Sequence, residues 1–253
     1  TFNHWREAIA DQFGIIISCQ RSEGYPYYIE NPEHITGDEL RRWMLDSFAV
    51  GNVIGDNLAL TGRILVEPIP SGREFLAPII NAMRDNHIVE ITYRKFGKPD
   101  ALTFPVKPYC VKLFGNRWYL LAYNDYCKGL RIYGLDRMEG VTVTEETFRL
   151  PNDFSAEEYF APFFGIVTDE HKKPERIIFR AYENQRDYLK SLPIHHSQRL
   201  ISECEDYAEF ELYVAPTYDL VNELFKNANW IEVMSPASLR KEMKRWADLT
   251  AAL

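Results

Sequence analysis

The chain has 253 residues, 46% of them hydrophobic and 26% charged, with a net charge of −8 at neutral pH. That length supplies a sizeable core in one to three domains, and the negative balance argues against a surface that grips nucleic acid everywhere. No run of about 18 uninterrupted apolar residues occurs, so no membrane-spanning helix is expected, and no signal-peptide pattern opens the chain.

The first stretch, TFNHWREAIADQFG, places Phe2, Trp5, Ile9 and Phe13 at helical spacing, and Gly14 is positioned to stop the helix. IIISCQ and YPYYIE then read as two strands joined through RSEG, where Gly24 supplies turn geometry. A short helix followed by a hairpin has the form of the back half of a winged helix-turn-helix, over residues 1–31. A recognition helix contacts bases with its N-terminal residues, so Thr1, Asn3, His4 and Arg6 are the expected DNA readers, with Arg21 in the wing. The segment carries two Arg and four acids, a net −2 that suits phosphate poorly. A helix and hairpin that only pack fit the pattern equally well.

Residues 32–86 read as a helical connector. DELRRWMLDSFAV sets Leu40, Trp43, Met44 and Phe48 on one stripe, and REFLAPIINAMRDN does the same with Phe75, Ile79, Ala82 and Met83. Apolar helices of this kind carry domain junctions or dimer contacts. From residue 87 the period changes to two. IVEITYRKF, ALTFPVKPYCVKLF, NRWYLLAYN, LRIYGLDRM and GVTVTEETF are separated by short breaks rich in Gly, Asn and Asp. Five short strands with tight turns predict a small β-barrel over residues 87–150.

After a linker at 151–174, the tail at 175–253 reads βαββαβα, a ferredoxin-like α+β unit. Its segments are PERIIFRAY, NQRDYLKSL, strands around RLISECE and YAEFELYV, PTYDLVNELFKN, WIEVM and a last helix. Ser235 is placed to cap that helix, Pro236 to take its first turn, and Leu239, Met243 and Trp246 form its apolar stripe. The fold class is α+β.

The barrel segment reverses the charge of the chain. Between Ile88 and Arg137 stand nine Lys and Arg against four acids, a net +5 that leaves −13 for the rest. Ten of the 35 aromatics lie in the same 50 residues. Cations interleaved with rings compose a surface for phosphates and bases, although a solvated, lysine-rich exterior has the same composition. In NRWYLLAYN, alternation puts Trp118, Leu120 and Ala122 on a core face and Arg117, Tyr119, Leu121 and Tyr123 on the other. In LRIYGLDR it groups Arg131, Tyr133, Leu135 and Arg137. Paired side by side, Arg117, Tyr119, Tyr123, Arg131, Tyr133 and Arg137 would share one concave surface for a phosphate-bearing ligand, with Tyr93 or Arg94 added from the first strand. Asp136 has a plainer reading, as half of an ion pair with Arg137.

RWYLLAYN followed by LRIYGLDRM, after TYRKFG and a V-K-P-Y strand, resembles the WYL domain, named for the triplet that here is Trp118-Tyr119-Leu120. The partial winged helix before it and the βα tail after it are similar to the three-part layout of WYL-type bacterial transcription regulators. The resemblance runs through nearly the whole chain and departs at the front, where the first helices of the DNA reader are missing. It implies an Sm/SH3-like five-stranded barrel that senses a nucleic-acid-type effector, a single-stranded oligonucleotide or a nucleotide, and controls binding to operator DNA. It also implies a tail that packs on a partner subunit, hence a homodimer.

Enzyme readings find little footing. G-x-S-x-G, H-E-x-x-H, Walker and dinucleotide-glycine patterns are all lacking, and no cofactor is expected. His195-His196 has no third ligand nearby in sequence, so a loop or capping role is expected there and no metal. Cys19, Cys110, Cys127 and Cys204 form no C-x-x-C pair and read as reduced thiols of a cytoplasmic protein. The expectation is a regulator with an effector site and an operator site and no chemistry. The competing class is a nucleotide- or single-strand-binding accessory protein of a defence or repair system, without operator binding.

Overall fold

The computed structural model describes residues 2–20, 26–32 and 72–252, with positions 47, 50, 51, 63 and 65 between them. The chain divides into two units, 1–68 and 69–253. In the first, helix α1 (Phe2–Phe13) ends as the sequence predicts: Gly14 follows at φ +64° and its N–H donates to the Ala10 carbonyl at 2.9 Å. Strands β1 (Ile17–Cys19) and β2 (Tyr27–Ile29) pair antiparallel, with Ile17 opposite Ile29. Asn31 ties the hairpin to the helix end. Its Nδ2 donates to the Gly14 carbonyl at 2.7 Å and its Oδ1 accepts the Ile16 N–H at 3.0 Å. The expected helix over 38–50, apart from positions 47 and 50, the Gly24 turn, and the DNA readers Thr1 and Arg21 lie outside the described residues.

The second unit opens with a 3₁₀ turn (Arg73–Phe75) and helix α2 (Leu76–Asp85), which stops at Asn86 in the left-handed region. The helix turns Ile79 and Ala82, both buried, with Phe75 and Met83 beside them, onto a five-stranded antiparallel sheet. The strands are β3 (His87–Arg94), β4 (Ala101–Phe114), β5 (Arg117–Asn124), β6 (Gly129–Gly134) and β7 (Met138–Thr147), in the order β6-β5-β4-β3-β7. Strand β4 serves two neighbours. Its first half pairs with β3, its second half with β5, and the register shifts between Pro108 and Cys110, a bulge that re-aims the strand. Val89, Ile91, Leu120 and Ala122 are fully buried against α2, the valine, isoleucine and leucine side chains each worth about 1.5–3 kcal/mol.

Two expectations are corrected here. LRIYGLDRM is not one strand, because Leu135–Arg137 forms a 3₁₀ turn between β6 and β7. Nor is the sheet closed: among the described residues no ladder joins β6 to β7, since the chain turns at 135–137 instead of extending β6. The result is a curved, open sheet within a mixed α+β architecture.

A short helix, α3 (Ala156–Phe160), precedes the tail. The tail follows the predicted order: β8 (Glu175–Tyr182), α4 (Gln185–Ser191), β9 (Arg199–Glu203), β10 (Tyr207–Val214), α5 (Tyr218–Lys226), β11 (Ile231–Ser235) and α6 (Ala237–Ala251). Its sheet runs β11-β8-β10-β9, all antiparallel. Phe179 and Phe210 stack at 5.5 Å in its core, with Leu220 and Leu224 of α5 and Leu239 of α6. Met243 and Trp246 complete the expected stripe. Ser235, however, does not cap α6. It is paired with Ile178 in the sheet, so the helix starts one residue later than expected and Pro236 occupies the cap position. No helix among the described residues is long and apolar enough to cross a membrane.

Candidate nucleic-acid interface

The register between β5 and β6 decides which side chains meet. Leu120 lies opposite Tyr133 and Ala122 opposite Arg131, whereas Tyr123 lies opposite Leu130 and Tyr119 opposite Gly134. Directly opposed residues share a face, and a slip of one residue exchanges the faces of a whole strand. The single concave surface expected from six residues is therefore split. Arg131 and Tyr133 lie on the core side with Leu120, and Arg117, Tyr119 and Tyr123 lie on the other.

That other side faces the protein itself. Leu121 is 1% exposed, and the Cys110 thiol near it is pushed up to about 11 by burial. Residues 148–165 supply the cover. Tyr109 stacks on Tyr123 at 6.4 Å and on Phe148 at 5.9 Å, and meets Phe154 edge-on at 4.9 Å. Phe114 meets Phe164 at 5.4 Å. Lys112, held below the ordinary lysine value by burial, lies 4.0 Å from the Phe160 ring and donates to the Gly165 carbonyl at 2.8 Å. Asp219 of α5 accepts the N–H groups of Ile166 and Val167, both at 2.8 Å. Arg117 reaches the sheet edge, where Nη1 binds Asp136 Oδ2 at 2.9 Å. The ion pair expected of Asp136 exists, with Arg117 as its partner instead of Arg137.

The core side has an exposed mouth at the β3–β4 hairpin, where Leu102 is 62% and Phe96 72% exposed. Tyr93 of β3 lies opposite Leu102 of β4 and is 4% exposed, in edge contact with Tyr133 at 5.2 Å. Burial holds the hydroxyls of both tyrosines above the usual phenol range, so they are protonated donors at neutral pH. Asn124 Nδ2 donates to the Tyr133 oxygen at 2.9 Å. The 3₁₀ turn delivers Arg137 to this mouth. Its guanidinium carbon lies 5.2 Å from the Tyr93 ring and 4.9 Å from the Phe96 ring, and among the described residues it has no carboxylate at ion-pair distance. Gly134 permits the arrangement: a Cβ there would stand 2.5 Å from Asp136 Oδ1 and 3.1 Å from Arg137 Nη2. Beside Tyr93, a cavity of about 270 Å³ is lined by Lys95, Lys98, Pro99, Asp100, Leu102 and Phe104.

Of the predicted effector residues, Tyr93, Tyr133, Arg131 and Arg137 thus belong to one side. Arg131 is exposed on edge strand β6, donates to the Leu130 carbonyl at 2.7 Å, and also borders a cleft against Tyr159 and residues 166–171. Arg94 points away and is taken by Glu139 and the Pro99 carbonyl. Sequence reasoning missed Phe96, Leu102 and Phe104; alternation from Tyr93 across the hairpin was the signal for the last two. Asn3 and His4 are exposed on α1 and Arg6 is half-buried. His195 donates to or accepts from Ser197 Oγ at 2.8 Å, and burial, aided by His196, lowers it to about 4. Among the described residues no group of three His, Cys, Asp or Glu side chains is disposed to hold a metal.

Residues 74–143 match the WYL domain family, so the α2–sheet unit is a WYL domain. No protein of curated function matches the chain. Among solved structures, proteasome accessory factor B/C (PafBC) of Arthrobacter aurescens is similar at 17% identity and a TM-score of 0.36, covering 96% of this chain and 39% of that one. A CRISPR Cas-related protein is similar at 14% identity and a TM-score of 0.41, covering 69% of this chain and 50% of that one. The chain therefore matches half or less of the length of either structure.

Proposed function

We propose that this chain is a ligand-responsive transcription regulator whose WYL domain binds a nucleic-acid-type effector at the open mouth of its sheet. It acts by binding, without chemistry of its own, and passes the signal to DNA contacts made by the N-terminal unit. The observation that carries this reading is Arg137, a guanidinium held against Tyr93 and Phe96 without an acidic partner among the described residues. A cation positioned by rings, with Lys95 and Lys98 beside an apolar cavity, suits a phosphate joined to a base. Tyr93, Arg131, Tyr133 and Arg137 are the effector residues in this account, and Arg94, Arg117, Tyr119 and Tyr123 have structural roles. The open sheet is read as an Sm-like barrel left unclosed, and the tail as a ferredoxin-like unit, which its βαββαβ order supports. The active species is a two-fold homodimer, with light scattering as its check.

The test is binding of fluorescent single-stranded DNA, RNA and cyclic nucleotides across salt concentrations. Phosphate recognition requires a negative slope of log affinity against log salt, and a slope near zero for every ligand removes it. The net −2 over residues 1–31 favours a second reading, an accessory protein that binds nucleotides or single strands without an operator. Selection from a random duplex library, with and without effector, separates the two: an enriched sequence supports the regulator, and none supports the accessory.

A further inference from the structure

Given the nucleic-acid reading proposed above, we infer that the mouth takes one nucleotide at a time. A single unstacked base enters between Tyr93, Leu102 and Phe104 while its phosphate meets Arg137 and the lysines. The cavity sets the size. At about 270 Å³ it falls just below the roughly 300–1,000 Å³ typical of pockets for drug-sized ligands. One base with its sugar matches that space in size.

The chemistry of the walls sets the class. Leu102, Phe104 and Tyr93 offer apolar surface to the face of a base, and Lys95, Lys98 and Asp100 bring charge to the same opening. Tyr93 belongs to both halves of the site, because its ring lines the cavity and also holds Arg137 at 5.2 Å. Base and phosphate subsites therefore share a wall, the Tyr93 ring. Arg137 already rests against two rings, so it meets a ligand through its N–H donors, the edge that grips phosphate. A platform for a run of stacked bases would need a row of rings with free faces. The row present, Tyr123, Tyr109 and Phe148, lies on the opposite side of the sheet and is packed by Phe154.

The test uses the 253-residue chain and a labelled ten-nucleotide oligodeoxyadenylate, with adenosine 5′-monophosphate and an abasic strand of equal length as competitors. The monophosphate should displace the oligonucleotide with an affinity within about tenfold of it, and the abasic strand should bind about ten- to a hundredfold more weakly, the contribution of one stacked base. The salt slope for the oligonucleotide should be no steeper than about −2, because each contacted phosphate of a single strand adds about −0.7. Leu102→Trp fills the cavity from a position 62% exposed, so it should keep the melting temperature and lose the monophosphate. Lys98→Glu, also at an exposed position, should lose it too and serves if Leu102→Trp melts early. A tight oligonucleotide complex with a steep slope and no competition by the monophosphate overturns the one-nucleotide inference and leaves the nucleic-acid reading standing. Equal binding of the abasic strand, or wild-type binding by both variants, also overturns it. Failure of every probe to bind overturns both.

Discussion

Gly134→Ala isolates the geometry that presents Arg137. The glycine has φ −71° and ψ 129°, a backbone that alanine adopts without strain. On backbone grounds alone the substitution should stabilise by about 0.4–1 kcal/mol, through the unfolded chain. Sterically it does the reverse. The new Cβ would stand 2.5 Å from Asp136 Oδ1 and 3.1 and 3.2 Å from Nη2 and Nε of Arg137. Asp136 must shift and Arg137 must give by a few tenths of an ångström, and overpacking of this kind costs about 1–3 kcal/mol. Displacing Asp136 also weakens its contact with Arg117, an ion pair whose arginine is 45% exposed and which is worth about 0–1 kcal/mol. The net expectation is a loss of about 1–3 kcal/mol, and at about 2–4 °C per kcal/mol the melting temperature falls by roughly 2–12 °C. Calorimetry measures this directly. Asp136→Ala removes the tightest clash, so Gly134→Ala should cost less than half as much in that background. Gly134→Ala melting at or above wild type would refute the reasoning.

Trp118→Ala and Arg131→Ala should separate cleanly in a thermal melt. Trp118 packs against the core and its loss costs about 3 kcal/mol, whereas the exposed Arg131 costs within about 0.5 kcal/mol; reversed values would contradict the burial that separates these two side chains. Asp219→Ala leaves the Ile166 and Val167 N–H groups without their acceptor and should cost about 1–3 kcal/mol by urea unfolding. His195 has a folded value near 4, below its ordinary 6.5, so unfolding takes up a proton and stability should decline as pH falls from 6.5 to about 4. The ring is only half-buried, so the slope should stay well under about 1.4 kcal/mol per pH unit, and His195→Gln should flatten it.

The parts of the fold that the sequence announces are those with a strong period. Ile79 and Ala82 on α2, Leu120 and Ala122 on β5, and Leu239, Met243 and Trp246 on α6 all bury the face their spacing selects. Alternation within one strand does not say which face of the next strand lies beside it. That depends on the β5–β6 turn, where Asn124 Oδ1 accepts the N–H groups of Tyr126 and Cys127 and so sets the register. Leu-Asp-Arg reads as strand by composition, yet it folds as a 3₁₀ turn, because Gly134 lets Asp136 and Arg137 fold back over it. The face that carries Arg117, Tyr119 and Tyr123 reads as a ligand surface in sequence because its cover comes from residues 148–165, which meet Tyr109, Phe114 and Lys112 of the neighbouring strand β4. Such long-range cover leaves no mark on the strand itself.

The most direct test of the central claim, that Arg137 anchors a nucleic-acid-type ligand at the mouth, is fluorescence anisotropy of labelled single-stranded DNA with wild type, Arg137→Ala and Arg94→Ala. Arg94 is the internal control, a nearby arginine already paired with Glu139. The account predicts a loss of about 1.5–3 kcal/mol for Arg137→Ala, or about ten- to a hundredfold in affinity, with Arg94→Ala close to wild type and both proteins folded. Equal affinity for wild type and Arg137→Ala, or equal losses for the two variants, would contradict it.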